Sequence, residues 1–304
     1  MTIGIAAYGS GAGRAVLNGV LATEVLGCGS IGGFVVVSFL DDQGLHRQFS
    51  GQRGGIAALG AYDGLTEARC AAVISSGPDR PEPLSQFLAG DGMALVTGHR
   101  LPQRPGASGK PLNLSALERI RHGQAPQDAV RAELDENAEA DCGLIAVTSD
   151  GRIGFANSAR VRRRADLIEA YRSEHGRGYA LLGNSIHFNR PRQTVTAIGD
   201  LIWSTLAGNN SGCFLAQLAR PVPVSAADED RIDLDETGDV LRIARADPWW
   251  PASPGVVTVV YSRTPVWQGG RQVGTCITEV FARLDGETAS PDPSRQTRFA
   301  VERS

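Results

Sequence analysis

The chain has 304 residues, 42% of them hydrophobic and 21% charged, with a formal net charge of −3 at pH 7. That length and apolar content support a substantial core, as one large domain or two modest ones. The slightly acidic balance argues against a general polyanion binder, so no nucleic-acid partner is expected.

No apolar run approaches the roughly 18 residues of a membrane span, so no membrane partner is expected either. Met1–Ile5 lacks the basic n-region of a secretory signal. The five cysteines, Cys28, Cys70, Cys142, Cys213 and Cys276, contain no CxxC pair. That usage points to a reducing, cytoplasmic location.

Ile3–Tyr8 reads as a short buried strand. Gly9-Ser10-Gly11-Ala12-Gly13 then opens a helix to about Leu26, with Val16, Leu17, Val20, Leu21 and Val25 at near-helical spacing. A nucleotide-binding fingerprint would need a third glycine where Arg14 stands. The plainer expectation is a tight strand-to-helix turn. If the loop binds anything, the N–H groups of Gly9 and Gly11 suit an anion or oxyanion.

Gly33–Leu40 is a nearly continuous apolar run, the pattern of a strand covered on both faces. The turn Asp41-Asp42-Gln43-Gly44 leads to a more polar strand, Leu45–Ser50, ending in the glycine-rich segment up to Gly55. Ile56–Ile74 reads as helical or mixed, Ser75–Pro83 as a proline-rich loop, and Met93–Thr97 as a strand. A second loop, Pro102–Pro111, precedes helices at Ser115–Arg121 and Pro126–Ala138; Ala129, Val130 and Leu134 line one face of the latter. Cys142–Ser158 is a β-hairpin turning at Asp150-Gly151.

The basic run Arg160, Arg162, Arg163 and Arg164 opens an expected helix, Ala165–His175, followed by a strand at Tyr179–Ile186 and a helix at Thr194–Leu206. Asn184-Ser185-Ile186-His187 is a polar cluster after an apolar strand, read as a structural turn with the alternative of facing a pocket. Ala226–Asp239 reads as an acidic exposed loop and Trp249-Trp250-Pro251 as a core plug. Val256–Ser262 and Thr275–Leu284 read as strands, and Asp285–Ser304 as a polar tail. His46, His99, His122, His175 and His187 are scattered without metal-ligand spacing, so neither a metal nor another cofactor is expected.

The chemistry concentrates on Gly29-Ser30-Ile31-Gly32-Gly33. A serine hydroxyl is a weak nucleophile without a base. A free α-amino group, with an ordinary pKa of about 7.7–8.0, is such a base. Gly32 and Gly33 let backbone approach a substrate closely. Cys28 is a rival nucleophile.

These residues, with the strand, the hairpin and Ser50-Gly51 after them, resemble the start of the small subunit of plant-type asparaginases (isoaspartyl peptidases). Those enzymes belong to the N-terminal-nucleophile hydrolase superfamily. The Gly143–Asn157 hairpin resembles a later hairpin of the same subunit, and Ile5–Gly13 a shortened version of the family's opening. The likeness covers about residues 3–165. It implies an α+β fold, a four-layer αββα sandwich of two stacked antiparallel sheets. In this reading residues 1–304 form a single domain, with 166–304 supplying strands and helices that complete the sandwich.

The expected activity is hydrolysis of a small amide or peptide-like bond. Ser30 would attack, Ser50 would be its hydroxyl partner, and Gly9, Gly11, Gly32, Arg53, Asn157 and Arg160 would bind substrate or oxyanion. Arg53 or Arg160 would orient a substrate carboxylate. The alternatives are a nucleotide-dependent enzyme using the Gly9–Gly13 loop and a non-catalytic protein that binds a metabolite or self-assembles into a homo-oligomer.

Overall fold

A computed structural model describes every residue except 28–30, 61–62, 189–190, 209–211 and 248–254; of residues 57, 58 and 191 it describes the backbone alone. Ser30 and Cys28 therefore lie outside the described residues, as does Trp249-Trp250-Pro251.

The chain divides into two compact units, Met1–Asn209 and Asn210–Ser304. In chain order unit 1 runs β1 (Thr2–Tyr8), α1 (Ala12–Leu26), β2 (Phe34–Leu40), β3 (His46–Gln52), β4 (Cys70–Ser76), β5 (Ala89–Gly90), β6 (Ala94–Arg100), α2 (Leu112–Arg121) and α3 (Pro126–Glu136). It continues with β7 (Cys142–Thr148), β8 (Ile153–Asn157), α4 (Ala159–Arg162), β9 (Leu167–Glu174), β10 (Arg177–Asn184) and α5 (Pro191–Ala207). Six of these strands form one sheet in the order β3-β2-β4-β1-β10-β9, and four form another, β5-β6-β7-β8.

All six strands of the larger sheet pair antiparallel. β1 sits inside it, between β4 and β10. Its side chains alternate with the two-residue period of a strand. Ile5 points at α1, where it touches the space above Gly19. Ala6 points the other way, into a core shared with Phe34, Val36, Ile74, Leu95, Ile145 and Leu182. That core joins the two sheets. A second core, with Leu117, Val130, Leu134 and Leu144, seals α2 and α3 onto the four-stranded sheet.

Among the described residues the regular elements of unit 2 are all strands: β11 (Cys213–Gln217), β12 (Val222–Ala226), β13 (Arg231–Leu234), β14 (Val240–Arg245), β15 (Gly255–Val260), β16 (Pro265–Gln268), β17 (Arg271–Cys276), β18 (Val280–Asp285), β19 (Thr288–Pro291) and β20 (Arg298–Arg303). They form one sheet, β11-β20-β17-β16-β13-β14-β12-β19-β18-β15. Register shifts at Asp233/Leu234, Thr258/Val260 and Val266/Trp267 bend it, because an unpaired extra residue increases local twist. Val224, Ile232, Ile243, Val260, Val266 and Phe299 fill its own core.

The four-layer αββα sandwich expected for the chain is thereby corrected. Among the described residues the protein is mostly β, 43% strand against 22% helix, with three sheets of which the ten-stranded one is a curled half-barrel. The residues beyond 209 complete no sandwich; they bury their apolar residues among themselves.

Several local expectations change with it. Ala165–His175 is not a helix but β9 and its turn; Ile168 is buried while Glu169 is exposed. The tail after Asp285 holds β19 and β20, with Phe299, Ala300 and Val301 buried. The acidic loop Ala226–Asp239 contains β13, and Ile56–Ile74 contains a short 3-10 turn and the first residues of β4.

Candidate active site

At one end of unit 1 the two sheets bring their polar strand ends together. Thr2 opens β1 and is buried. In register it faces Ser76, the last residue of β4, on one side and Asn184, the last residue of β10, on the other. Thr2 shares the inter-sheet face with Gly4 and Ala6 by the two-residue alternation. Ser76 and Asn184 lie on that face too, in step with Ile74 and Leu182 of the same core.

Opposite stands the end of β6. Gly4 and Gly98 let the sheets touch: a Cβ on Gly4 would overlap the Gly98 carbonyl oxygen. Gly143 does the same for a side chain. His99, Gly143 and Asn157 are aligned across β6, β7 and β8. The His99 ring lies in the space a Cβ on Gly143 would fill and reaches Asn157 across it.

His99 is fully buried and anchors a polar chain. Its Nδ1 is 3.0 Å from Asn184 Oδ1 and its Nε2 2.6 Å from Asn157 Oδ1. Asn184 Nδ2 donates to Ser185 Oγ at 2.9 Å, and Ser185 Oγ donates to Asp166 Oδ2 at 2.7 Å. Arg164 grips Asp166 through both Nε and Nη2, at 2.8 and 2.6 Å. That pairing, helped by Ser185, holds the Asp166 carboxyl well below its usual range against the effect of burial. Arg100 pairs with Asp141. Two non-glycine residues of this edge, Arg100 (φ 65°) and Ser185 (φ 56°), have left-handed backbone, a conformation that costs energy and tends to collect at functional sites.

Arg80 completes the edge. Its Nε donates to Ser76 Oγ at 3.1 Å and its backbone N–H to Gln52 Oε1 at 2.8 Å. Among the described residues it has no carboxylate partner, and its guanidinium lies 6.0 Å from the Phe34 ring centre. The Met1 α-amino group sits in the field of this cluster. Burial lowers its pKa from 8.0, and so do Arg80, Arg100 and Arg164, with Asp166 opposing. The Met1 carbonyl oxygen accepts from Gly77 N–H at 3.3 Å.

The residues singled out from the sequence scatter around this edge. Asn157 is part of it. Gly32 (φ 93°) and Arg53 (φ 63°) lie at the same end of the larger sheet, by the start of β2 and the end of β3. The Arg53 side chain, 84% exposed, pairs with Asp79 at 2.9 Å. Ser50 pairs with Val36 within β3, on the sheet's outer strand, and is exposed. Arg160 is exposed on α4, its Nη1 donating to the Glu139 carbonyl at 3.4 Å.

Gly9 and Gly11 are at the far end of β1, about 20 Å from Thr2 at a strand's rise per residue. Three of their loop's donors are already used: Gly9 N–H bonds Arg69 O, Ala12 N–H bonds Gly9 O, and Gly13 N–H bonds Ala68 O. The glycine at 13 is there because the Leu65 carbonyl packs on it, which argues against the phosphate-cradle reading.

Sequence reasoning missed Thr2, Ser76, Arg80, His99 and the Asp166–Arg164 pair. The signal for Thr2 was present: a small hydroxyl residue after Met1, opening an apolar strand. The others come from strand ends far apart in the chain.

A domain family of unknown function (DUF6963) matches residues 2–213, more than half of the chain. The chain belongs to that family. The DUF6963 match ends at the start of β11. A second domain of unknown function (DUF7259) matches residues 221–296, inside unit 2. No curated protein matches the chain. Among the described residues no group of three His, Cys, Asp or Glu side chains is placed to hold a metal ion. No described helix is long and apolar enough to cross a membrane.

His99 gives the DUF6963 unit a measurable pH signature. Burial, the largest influence, pulls its pKa below 6.5; Arg100 works in the same direction, and the two asparagines and Asp141 against it. The unfolded chain therefore binds a proton that the folded state refuses. Stability from this site is complete above about pH 6.5 and falls as pH drops towards the folded-state value, by at most about 1.4 kcal/mol per pH unit for one proton. Thermal melts from pH 7.5 to 5 should show a shallower decline in His99→Gln than in wild type. Equal slopes would mean that another group carries it.

Proposed function

We propose that the protein is an amidohydrolase with an N-terminal hydroxyl nucleophile, and that the nucleophile is Thr2, freed by cutting the Met1–Thr2 bond. The observation that carries this reading is the placement of Thr2: a buried hydroxyl residue opening an interior strand, between Ser76 and Asn184 and close to an α-amino group whose pKa is lowered. The reading requires only that the bond be cut, by the protein itself or by an aminopeptidase.

Once free, the Thr2 amine stands one residue from the position of the Met1 amine, in the same field of Arg80, Arg100 and Arg164. The burial and cations that lower the pKa of the Met1 amine would disfavour the charged form of this one too, which suits it to take the hydroxyl proton. Thr2 Oγ1 forms a bond to the substrate carbonyl carbon. The amine's proton passes to the leaving nitrogen as the C–N bond breaks, and water then hydrolyses the ester. Gly77 N–H, which holds the Met1 carbonyl at 3.3 Å, is placed to hold the oxyanion in that position. Arg80 takes the orienting role expected of Arg53 or Arg160. The likeness to plant-type asparaginases supports the same class of reaction with a different nucleophile position.

The compartment we propose is the cytoplasm. The described cysteines Cys70, Cys142 and Cys276 are buried as free thiols, and burial pushes the Cys70 and Cys276 thiols up to about 12. Such thiols serve as small apolar residues and suit a reducing environment.

The test is covalent. A β-lactone probe, followed by peptide mass spectrometry, should add an acyl group to a peptide that begins at Thr2. A purified protein that keeps Met1 and takes no label would overturn the proposal.

A further inference from the structure

A cleft lined in part by Asn157 has a volume of about 770 Å³ and is bounded by α3, the end of β8, α4 and the start of β9. That is within the range of small-molecule sites. Its floor is apolar, from Leu134, Phe155 and Leu167. Its polar lining includes two cations, Arg131 and Arg162, and two anions, Asp135 and Glu169.

These four charges are not used by the protein. Among the described residues, none of them makes an ion pair or a side-chain hydrogen bond. Arg131 and Asp135 are one helical turn apart on α3, in the order, cation before anion, that pairs less well along a helix. Asn157 adds a buried polar group. It is 8% exposed, one end of its amide is on His99, and it lines the cavity.

We infer that this cavity binds a zwitterion with an apolar side chain, an amino acid or a short peptide with both ends free. A simple anion would meet Asp135 and Glu169 without compensation, and a simple cation would meet the two arginines. A ligand carrying both charges satisfies both pairs at once while its side chain covers Leu134 and Phe155. Each charge is solvent-exposed and contributes little alone, so selectivity rests on their joint engagement. The site stands whether or not Thr2 is a nucleophile.

Calorimetric titration of the full chain tests it with four probes: L-leucine, L-leucyl-L-leucine, isocaproate (no amine) and isoamylamine (no carboxylate). Saturable binding is expected for leucine or the dipeptide, and binding about three- to fivefold weaker for the two singly charged probes, the effect of losing one exposed charge pairing. The double variant Arg131→Gln/Asp135→Asn should lose about tenfold in affinity with an unchanged melting temperature, since both side chains are exposed and unpaired. Saturable binding by neither zwitterion would overturn the inference. So would equal binding of the singly charged probes, or wild-type affinity in a folded double variant.

Discussion

Thr2→Ala is expected to lower amide hydrolysis by on the order of 10⁴-fold or more, the scale at which removal of a nucleophile leaves only binding and oxyanion stabilisation. Thr2→Ser should keep measurable turnover, because the hydroxyl and the α-amino group both remain. The Thr2→Ala change should alter stability little. Thr2 opens its strand rather than filling its centre, and its backbone pairing with Ser76 and Asn184 is independent of the side chain. The comparison with Ser30→Ala decides between the two nucleophile positions. Loss of turnover in Ser30→Ala with retention in Thr2→Ala would return the chemistry to the Gly29–Gly33 segment. Turnover is to be followed by release of the amine from small amides, with melting temperature measured on the same preparations.

Gly143→Ala is expected to damage the site without touching a reacting group. Its Cβ would fall on the Asn157 amide oxygen and the His99 ring nitrogen. The ring cannot retreat, because His99 is fully buried and held on its other side by Asn184. The cost combines overpacking, about 1–3 kcal/mol, with a buried polar group left without its partner, about the same again. Activity should fall with stability, since Asn184 faces Thr2 in register. The decline in stability between pH 7.5 and 5 should flatten if the ring is expelled into water. Wild-type melting temperature and turnover in Gly143→Ala would show that the ring has room this packing denies it.

Continuous apolar runs and strong turns were legible in the sequence. Gly33–Leu40 is an interior strand, β2, buried along its whole length. Asp150-Gly151 does turn a hairpin between β7 and β8. The helix after the Gly9–Gly13 turn forms as α1. Half-exposed strands were less visible. β9 carries Tyr171, Arg172, Ser173 and Glu174 on an outer strand of the sheet, and its few apolar residues fit a helical period as well as an extended one. β20 hides between charged neighbours, although Phe299 and Val301 are fully buried.

The site was the least legible. Thr2, Ser76, Asn157 and Asn184 each end or begin a strand and His99 is one residue from the end of its own, and nothing in their spacing says that five strand ends meet. Only the pairing of β1 with both β4 and β10, and the close approach of Gly4 to Gly98, brings them together.

The order of strands in unit 2 also bears on how the protein is made. Its first strand, β11, pairs with β20, Cys213 opposite Glu302. On a ribosome, β11 emerges long before its partner exists, and its unpaired edge is exposed throughout that interval. Unit 1 has all its strands once Asn184 has been added. Translation therefore delivers a foldable first unit while the second is still an open set of edges, and such edges are where nascent chains associate wrongly. Chaperone dependence during synthesis should accordingly map to residues 213–304.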